Sequence, residues 1–152
     1  MFALAECVIG IGADTAQARL ADLARDGSLT EIANAAYLSG VDYLRRSGRP
    51  GDLAGGQRLA RVQVLKPRYR ADLMTIGMRW ELTDAAGAMF PVLDGDITVC
   101  AESPRRTRVS LTGCYRSPPG SLCAGRDKAI LGSEADVTLQ SAVSGLAVAL
   151  EH

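Results

Sequence analysis

Met74, Ile76, Met78, Trp80 and Leu82 stand at every second position of one stretch, and Thr75, Arg79 and Glu81 fall between them. That period places the apolar set on one face of a β-strand and the polar set on the other. A slip of one residue in pairing would turn all five apolar side chains to water. The chain is therefore committed to a sheet with one buried and one half-solvated face, and other elements must cover the buried one. The same alternation recurs on both sides. Ala60, Val62 and Val64 alternate with Arg61, Gln63 and Leu65; Ile97, Val99 and Ala101 alternate with Thr98 and Cys100; Val109, Leu111, Gly113 and Tyr115 share a face. Turn residues at Thr83–Gly87 and Ser103–Arg106 separate these runs, which predicts an antiparallel meander. Within Met89–Glu102, Asp94-Gly95 reads as a hairpin turn or a bulge.

The flanking segments have a helical period. Phe2–Ile11 predicts a first strand, ended by Gly12. Asp14 and Gln17 have the spacing of a capping box for a helix from Ala16 to Ala24, closed by Gly27. Ser28 and Glu31 form a second box, and Leu29, Ile32, Ala36, Val41 and Leu44 then keep to one helical face. Ser47–Gln57 is a Gly-, Pro- and Asp-rich connector, and Ser117–Gly120 breaks the meander. Beyond it Ile130, Leu131, Leu139, Val143, Leu146 and Leu150 form the stripe of a C-terminal helix.

Gly10-Ile11-Gly12 raises the question of a dinucleotide-binding turn. Such a site needs a third small residue, where Thr15 stands, and a parallel strand after the first helix. A second helix occupies that place, so the two glycines end a strand and open a turn.

Composition removes further classes. With 152 residues, 47% apolar and 22% charged, the chain predicts one globular domain over residues 1–150. No apolar run approaches the ~18 residues that span a bilayer, and Met1-Phe2-Ala3 shows no secretory pattern, so a cytoplasmic protein without membrane insertion is expected. Seventeen basic residues balance seventeen acidic ones. The densest basic spots, Arg45, Arg46 and Arg49 and then Arg105, Arg106 and Arg108, fall at a helix end and a turn, which argues against nucleic acid. Cys7, Cys100, Cys114 and Cys123 have no CxxC spacing, so neither zinc nor a disulfide framework is expected. Cys123 near the last helix is a candidate nucleophile. The one histidine, His152, ends Leu150-Glu151-His152, which matches the start of a purification tag, and residues 151–152 are set aside on that reading. Histidine catalysis and histidine metal sites drop out with it, and no cofactor is expected.

The order strand, two helices, antiparallel strands and one long helix resembles the START-like or helix-grip (SRPBCC) superfamily, which includes polyketide cyclases, lipid-transfer START domains and birch-pollen-allergen-like proteins. Arg79-Trp80, Phe90–Ile97 (FPVLDGDI), Gly113–Gly120 (GCYRSPPG) and Gly125–Asp127 (GRD) resemble an uncharacterised bacterial branch of it. The resemblance implies an α+β helix-grip fold: a curved antiparallel sheet wrapped around the C-terminal helix, with a cavity for a small hydrophobic ligand of lipid, polyketide or isoprenoid type. Alternation and the resemblance together nominate Met74, Ile76, Met78, Trp80, Phe90, Val99, Leu111 and Tyr115 as its lining. No catalytic residue is assigned. An aromatase/cyclase or dehydratase without histidine is the first alternative, and its strand-borne candidates are Arg70, Asp72, Glu81 and Asp96. Asp72 shares its alternation face with Met74 and Ile76, and a salt bridge to Arg70 is its ordinary explanation. An interaction module with a vestigial pocket is the second alternative, and a homodimer is left open.

Overall fold

Among the described residues, six strands form one antiparallel sheet, five of them on the expected apolar pattern, and three helices pack with its buried face. The computed structural model describes residues 2–47, 59–83, 92–116 and 128–152, and side chains over 2–40, 61–81, 92–114 and 135–152. The elements are β1 (Phe2–Ile9), α1 (Ala13–Asp26), α2 (Ser28–Ser47), β2 (Leu59–Val64), β3 (Arg68–Arg70), β4 (Leu73–Thr83), β5 (Val92–Ser103), β6 (Arg106–Arg116) and α3 (Lys128–Glu151). The strands run in the order β1-β6-β5-β4-β2, with β3 paired to β4 beyond the end of β2, and every pairing is antiparallel. The strand preceding Gly10 and Gly12 thus has only an antiparallel neighbour among the described residues, β6, and no βαβ unit forms there.

Local chemistry differs from the sequence expectation at three turns. Helix α1 begins at Ala13, and its N-cap is Gly12 with extended backbone (φ −69°, ψ 154°) and no side-chain cap bond. Asp14 lies inside the first turn, where the helix dipole favours a carboxylate. Gln17 does not reach back to cap the helix. Its Nε2 donates to the Asp72 carbonyl at 2.8 Å and the Val99 carbonyl at 3.2 Å, tying α1 to the sheet.

Between α1 and α2 the chain turns at Gly27 (φ +89°), a left-handed conformation that glycine adopts without a Cβ penalty. The Ser28 N–H donates to the Asp26 carboxylate at 2.8 Å, so Asp26 caps α2 from two residues upstream. Hydrogen bonding from the Ser28 side chain first and its N–H second, aided by Arg25, holds the Asp26 carboxyl below its ordinary value.

The third difference is Asp94-Gly95, which is neither a turn nor a bulge. Strand β5 is continuous there, with Asp94 opposite Arg79 and Gly95 opposite Met78; the irregularity lies later, between Ala101 and Ser103. The connector Ser47–Gln57 beyond residue 47, Thr83–Gly87 beyond residue 83, and Ser117–Gly120 lie outside the described residues.

Strand β3 is an addition to the expected set, and the turn joining it to β4 places Ala71 at φ +52°. An L-residue with a Cβ is disfavoured there by about 1–2 kcal/mol. Part of that is returned by glycine's larger loss of chain entropy on folding. Ala71→Gly is expected to raise stability by about 0.5–1 kcal/mol, measured as a higher urea midpoint at unchanged slope. No gain would mean the turn is not held left-handed.

The inner face of the sheet packs on α3, which also lies against α2, while α1 packs on α2 and β5. Helix α3 buries Ala135, Thr138, Leu139, Ala142, Val143, Leu146 and Leu150. It is buried on two sides, by sheet and by α2. Its C-terminal end is anchored: Arg19 donates to the Leu150 carbonyl, and the Gly10 N–H donates to Glu151 Oε1 at 3.0 Å. No helix among the described residues is long and apolar enough to cross a membrane.

Candidate functional site

Register fixes the inner face as cross-strand rows. Met74, Val99 and Val109 form the first; Ile76, Ile97 and Leu111 the second; Met78, Gly95 and Gly113 the third; Trp80, Leu93 and Tyr115 the fourth. Strand β1 extends the first three with Cys7, Ala5 and Ala3. The third row is therefore almost without side chains beyond Met78, and it makes a trough across the sheet.

Neighbouring side chains fill that trough. A Cβ on Gly95 would meet Trp80 Cζ3 at 3.0 Å, and a Cβ on Gly113 would meet Leu93 Cδ1 at 2.9 Å and Leu139 Cδ2 at 3.2 Å. Leu139 belongs to α3, so the long helix is seated directly in the concavity of the sheet. The fold is a helix grip.

Within the grip, six of the eight nominated residues have described side chains, and all six face the interior. Met74, Ile76, Trp80, Val99 and Leu111 are 0% exposed and Met78 is 3%. A neighbouring void large enough for water would appear as exposed area on these side chains, so they pack closely against their surroundings. Phe90 lies outside the described residues, and Tyr115 is placed only by its backbone pairing with Leu93. The Trp80 indole finds its partner inside the protein: its N–H donates to the Ala33 carbonyl of α2 at 2.9 Å. A buried Trp N–H needs such a partner, and no ligand is required to supply it.

The charged groups of the described sheet lie on the opposite face. Arg79 makes a two-pronged contact with Asp94 (2.6 and 3.2 Å), Arg68 meets Asp96 at 3.5 Å, and Arg108 contacts Glu6 at 3.0 Å and also Glu102. Hydrogen bonds and opposite charge raise the Arg79 and Arg108 pKa values above the ordinary one, with Asp94 and then Glu102 as leading partners. Glu81 stands opposite Arg61 on that same outer face.

Asp72 is not inward-facing. It sits exposed in the β3–β4 turn, offers its carbonyl to Gln17, and makes no ion pair with Arg70 among the described residues. The physical reason is the left-handed Ala71, which ends the alternation one residue before β4 begins. The four acid–base candidates are thus distributed over the turn and the outer face, and none is brought to the interior. Among the described residues no group of three His, Cys, Asp or Glu side chains could hold a metal ion. Burial pushes the Cys7 thiol pKa up, and Glu151 adds to the shift, so this thiol is less nucleophilic than a free one. Cys123 lies outside the described residues.

Hollows open elsewhere among the described residues. One of about 470 Å³ lies on the outer face around Gly77, between Phe2 and Leu65. A polar one of about 510 Å³ lies between the start of α1 and the β3–β4 turn. Another, of about 400 Å³, lies between α1 and the β2–β3 connection. This last is lined by Ala21, Ala24 and Val64, which also pack against the core, so apolar interior reaches the surface there. Only the alternation at Val64 could have signalled it from sequence. Its α1 half depends on helix placement.

Among the described residues, Thr138 Oγ1 and Asn34 Oδ1 are buried polar atoms with no hydrogen-bond partner. Thr138 is fully buried on α3. Leaving a buried hydroxyl unpaired costs about 1–3 kcal/mol, while an apolar group of the same shape avoids the cost. Thr138→Val is expected to stabilise by about 1 kcal/mol, read as a rise in Tm of several degrees. A loss of stability would show that the hydroxyl has a partner in solution.

No protein-family model matches the chain, and no curated protein matches it. Solved structures similar to it include TTHA0849 of Thermus thermophilus, at 16% identity, covering 99% of this chain and 97% of that one, with a TM-score of 0.49. The hypothetical protein jhp0584 of Helicobacter pylori is 14% identical over 95% of this chain and 86% of that one, with a TM-score of 0.46. The Zhui aromatase/cyclase of a Streptomyces species is 12% identical over 99% and 93%, with a TM-score of 0.47.

Proposed function

We propose that this helix grip holds a small hydrophobic molecule, of lipid, polyketide or isoprenoid type, between the sheet and α3. The observation that carries the reading is the segregation of charge. The described inner face is apolar along β4, β5 and β6, while Arg79, Asp94, Arg68, Asp96 and Arg108 all lie outside. Such an interior solvates hydrocarbon and offers no ionised group for acid–base work. Met74, Ile76, Met78, Trp80, Val99 and Leu111 are the proposed lining, with Phe90 and Tyr115 assigned from sequence. Because the described side chains are closely packed, a ligand enters by displacing some of them. Met78 is suited to this by its flexible thioether, and Trp80 by its seat on glycine.

The test is native mass spectrometry of protein purified from its own host without denaturation, followed by organic extraction. A stoichiometric apolar adduct supports the reading and names the ligand class. Empty protein, with no thermal shift against lipids and polyketides, sinks it.

One observation favours a second reading, an interaction module. The filled inner face coexists with exposed apolar side chains on the outer face of edge strand β1, where Phe2 is 74%, Leu4 55% and Val8 38% exposed. A concentration-dependent dimer in the same mass spectra, without adduct, would support it.

A further inference from the structure

We infer that the ligand is an anionic amphiphile, a carboxylic acid with an apolar tail, and that it enters through the hollow between α1 and β2. The inference rests on the reading that the grip takes up an apolar molecule, and adds the ligand's charge and point of entry. Ala21 and Ala24 of α1 and Val64 of β2 form an apolar wall continuous with the core, and Pro67 also lines the hollow. Val64 stands opposite Met78 in register and shares its inward face, so a tail passing Val64 is directed at the methionine next to the glycine trough.

Among the described residues, the charged groups lining the hollow are two cations, Arg25 and Lys66. Asp22 meets Arg25 at 3.1 Å from outside the lining, but both side chains are largely exposed (64% and 76%), so the pair is weak and open to exchange. Asp26 also faces Arg25 electrostatically, yet its carboxylate is already engaged by the Ser28 N–H. Lys66 has no ion-pair partner among the described residues. An apolar wall ending at two cations is complementary to a tail ending in a carboxylate, which can accept charge-assisted hydrogen bonds from both. A neutral alcohol of equal length gains the burial without the charge.

The test compares octanoate with 1-octanol by calorimetric titration, with methyl NMR of Ala21, Ala24 and Val64 to locate the ligand. Octanoate is expected to bind about tenfold more tightly than octanol and to perturb those three residues' methyl groups. In the exposed double variant Arg25→Gln/Lys66→Gln that preference is expected to vanish while octanol affinity stays unchanged. Equal binding of the two probes by the unaltered protein, a preference that survives the double substitution, or perturbations confined to other methyls would overturn the inference and leave apolar uptake standing. Binding of neither probe would instead remove the uptake reading on which it rests.

Discussion

Truncating Trp80 to alanine is expected to lower the unfolding free energy by about 3–5 kcal/mol, the range found when a large buried aromatic is deleted from a core. Three features place it there. The ring is 0% exposed, it covers Gly95 where no side chain could replace it, and its N–H satisfies the Ala33 carbonyl. Collapse around the void is limited because the floor of the trough is backbone. Trp80→Phe separates the contributions. It keeps much of the volume and loses the hydrogen bond, so it is expected to cost less than the alanine change but at least about 1 kcal/mol. Urea unfolding measures both. A void of this kind is apolar and dry, so the alanine variant is also expected to be stabilised by saturating benzene more than the parent is. A Trp80→Ala loss below about 1 kcal/mol would show that the indole is not a packed part of the interior, and the account of the trough would fail with it.

Gly95→Ala is the second large effect, at about 1–3 kcal/mol of destabilisation from overpacking. The new Cβ would lie 2.8 Å from the Thr112 carbonyl oxygen and 3.0 Å from the Trp80 ring. The first neighbour is backbone in the β5–β6 ladder and cannot yield without disturbing the pairing. Gly113→Ala is the control: its Cβ meets the ends of the Leu93 and Leu139 side chains, which can rotate, and a smaller loss is expected. A double-mutant cycle of Trp80→Ala with Gly95→Ala should be less destabilising than the sum, because removing the ring removes one of the two clashes. Strict additivity would mean that ring and glycine do not meet.

These glycines also show where sequence reading stops. Strand faces were legible because alternation is a local property. Met74, Ile76, Met78, Trp80, Val99 and Leu111 were placed on one inward surface before any contact was known, and all six are there. Helix α3 and the α1–α2 pair were likewise legible from period, and the order of elements excluded a dinucleotide turn. Gly95 could not be read correctly. In sequence, Asp-Gly is a turn signal; in the fold, glycine is required because an indole fifteen residues earlier lies on top of it. Asp14-x-x-Gln17 failed for a related reason, since the Gln17 amide found two carbonyls in the sheet that no local window contains.

The candidate site divides along the same line. Which strand side chains face inward is set by a period of two, and the sequence by itself determined it, together with the apolar character of the grip; the removal of Asp72 from that face was decided by the left-handed turn at Ala71. Whether those side chains leave room, where core meets surface, and which cations stand beside that point were decided only by tertiary structure. Close packing and the placing of Arg25 and Lys66 at one hollow depend on how segments distant in sequence come together, the two cations being about forty residues apart, and no local pattern of polarity encodes such distances.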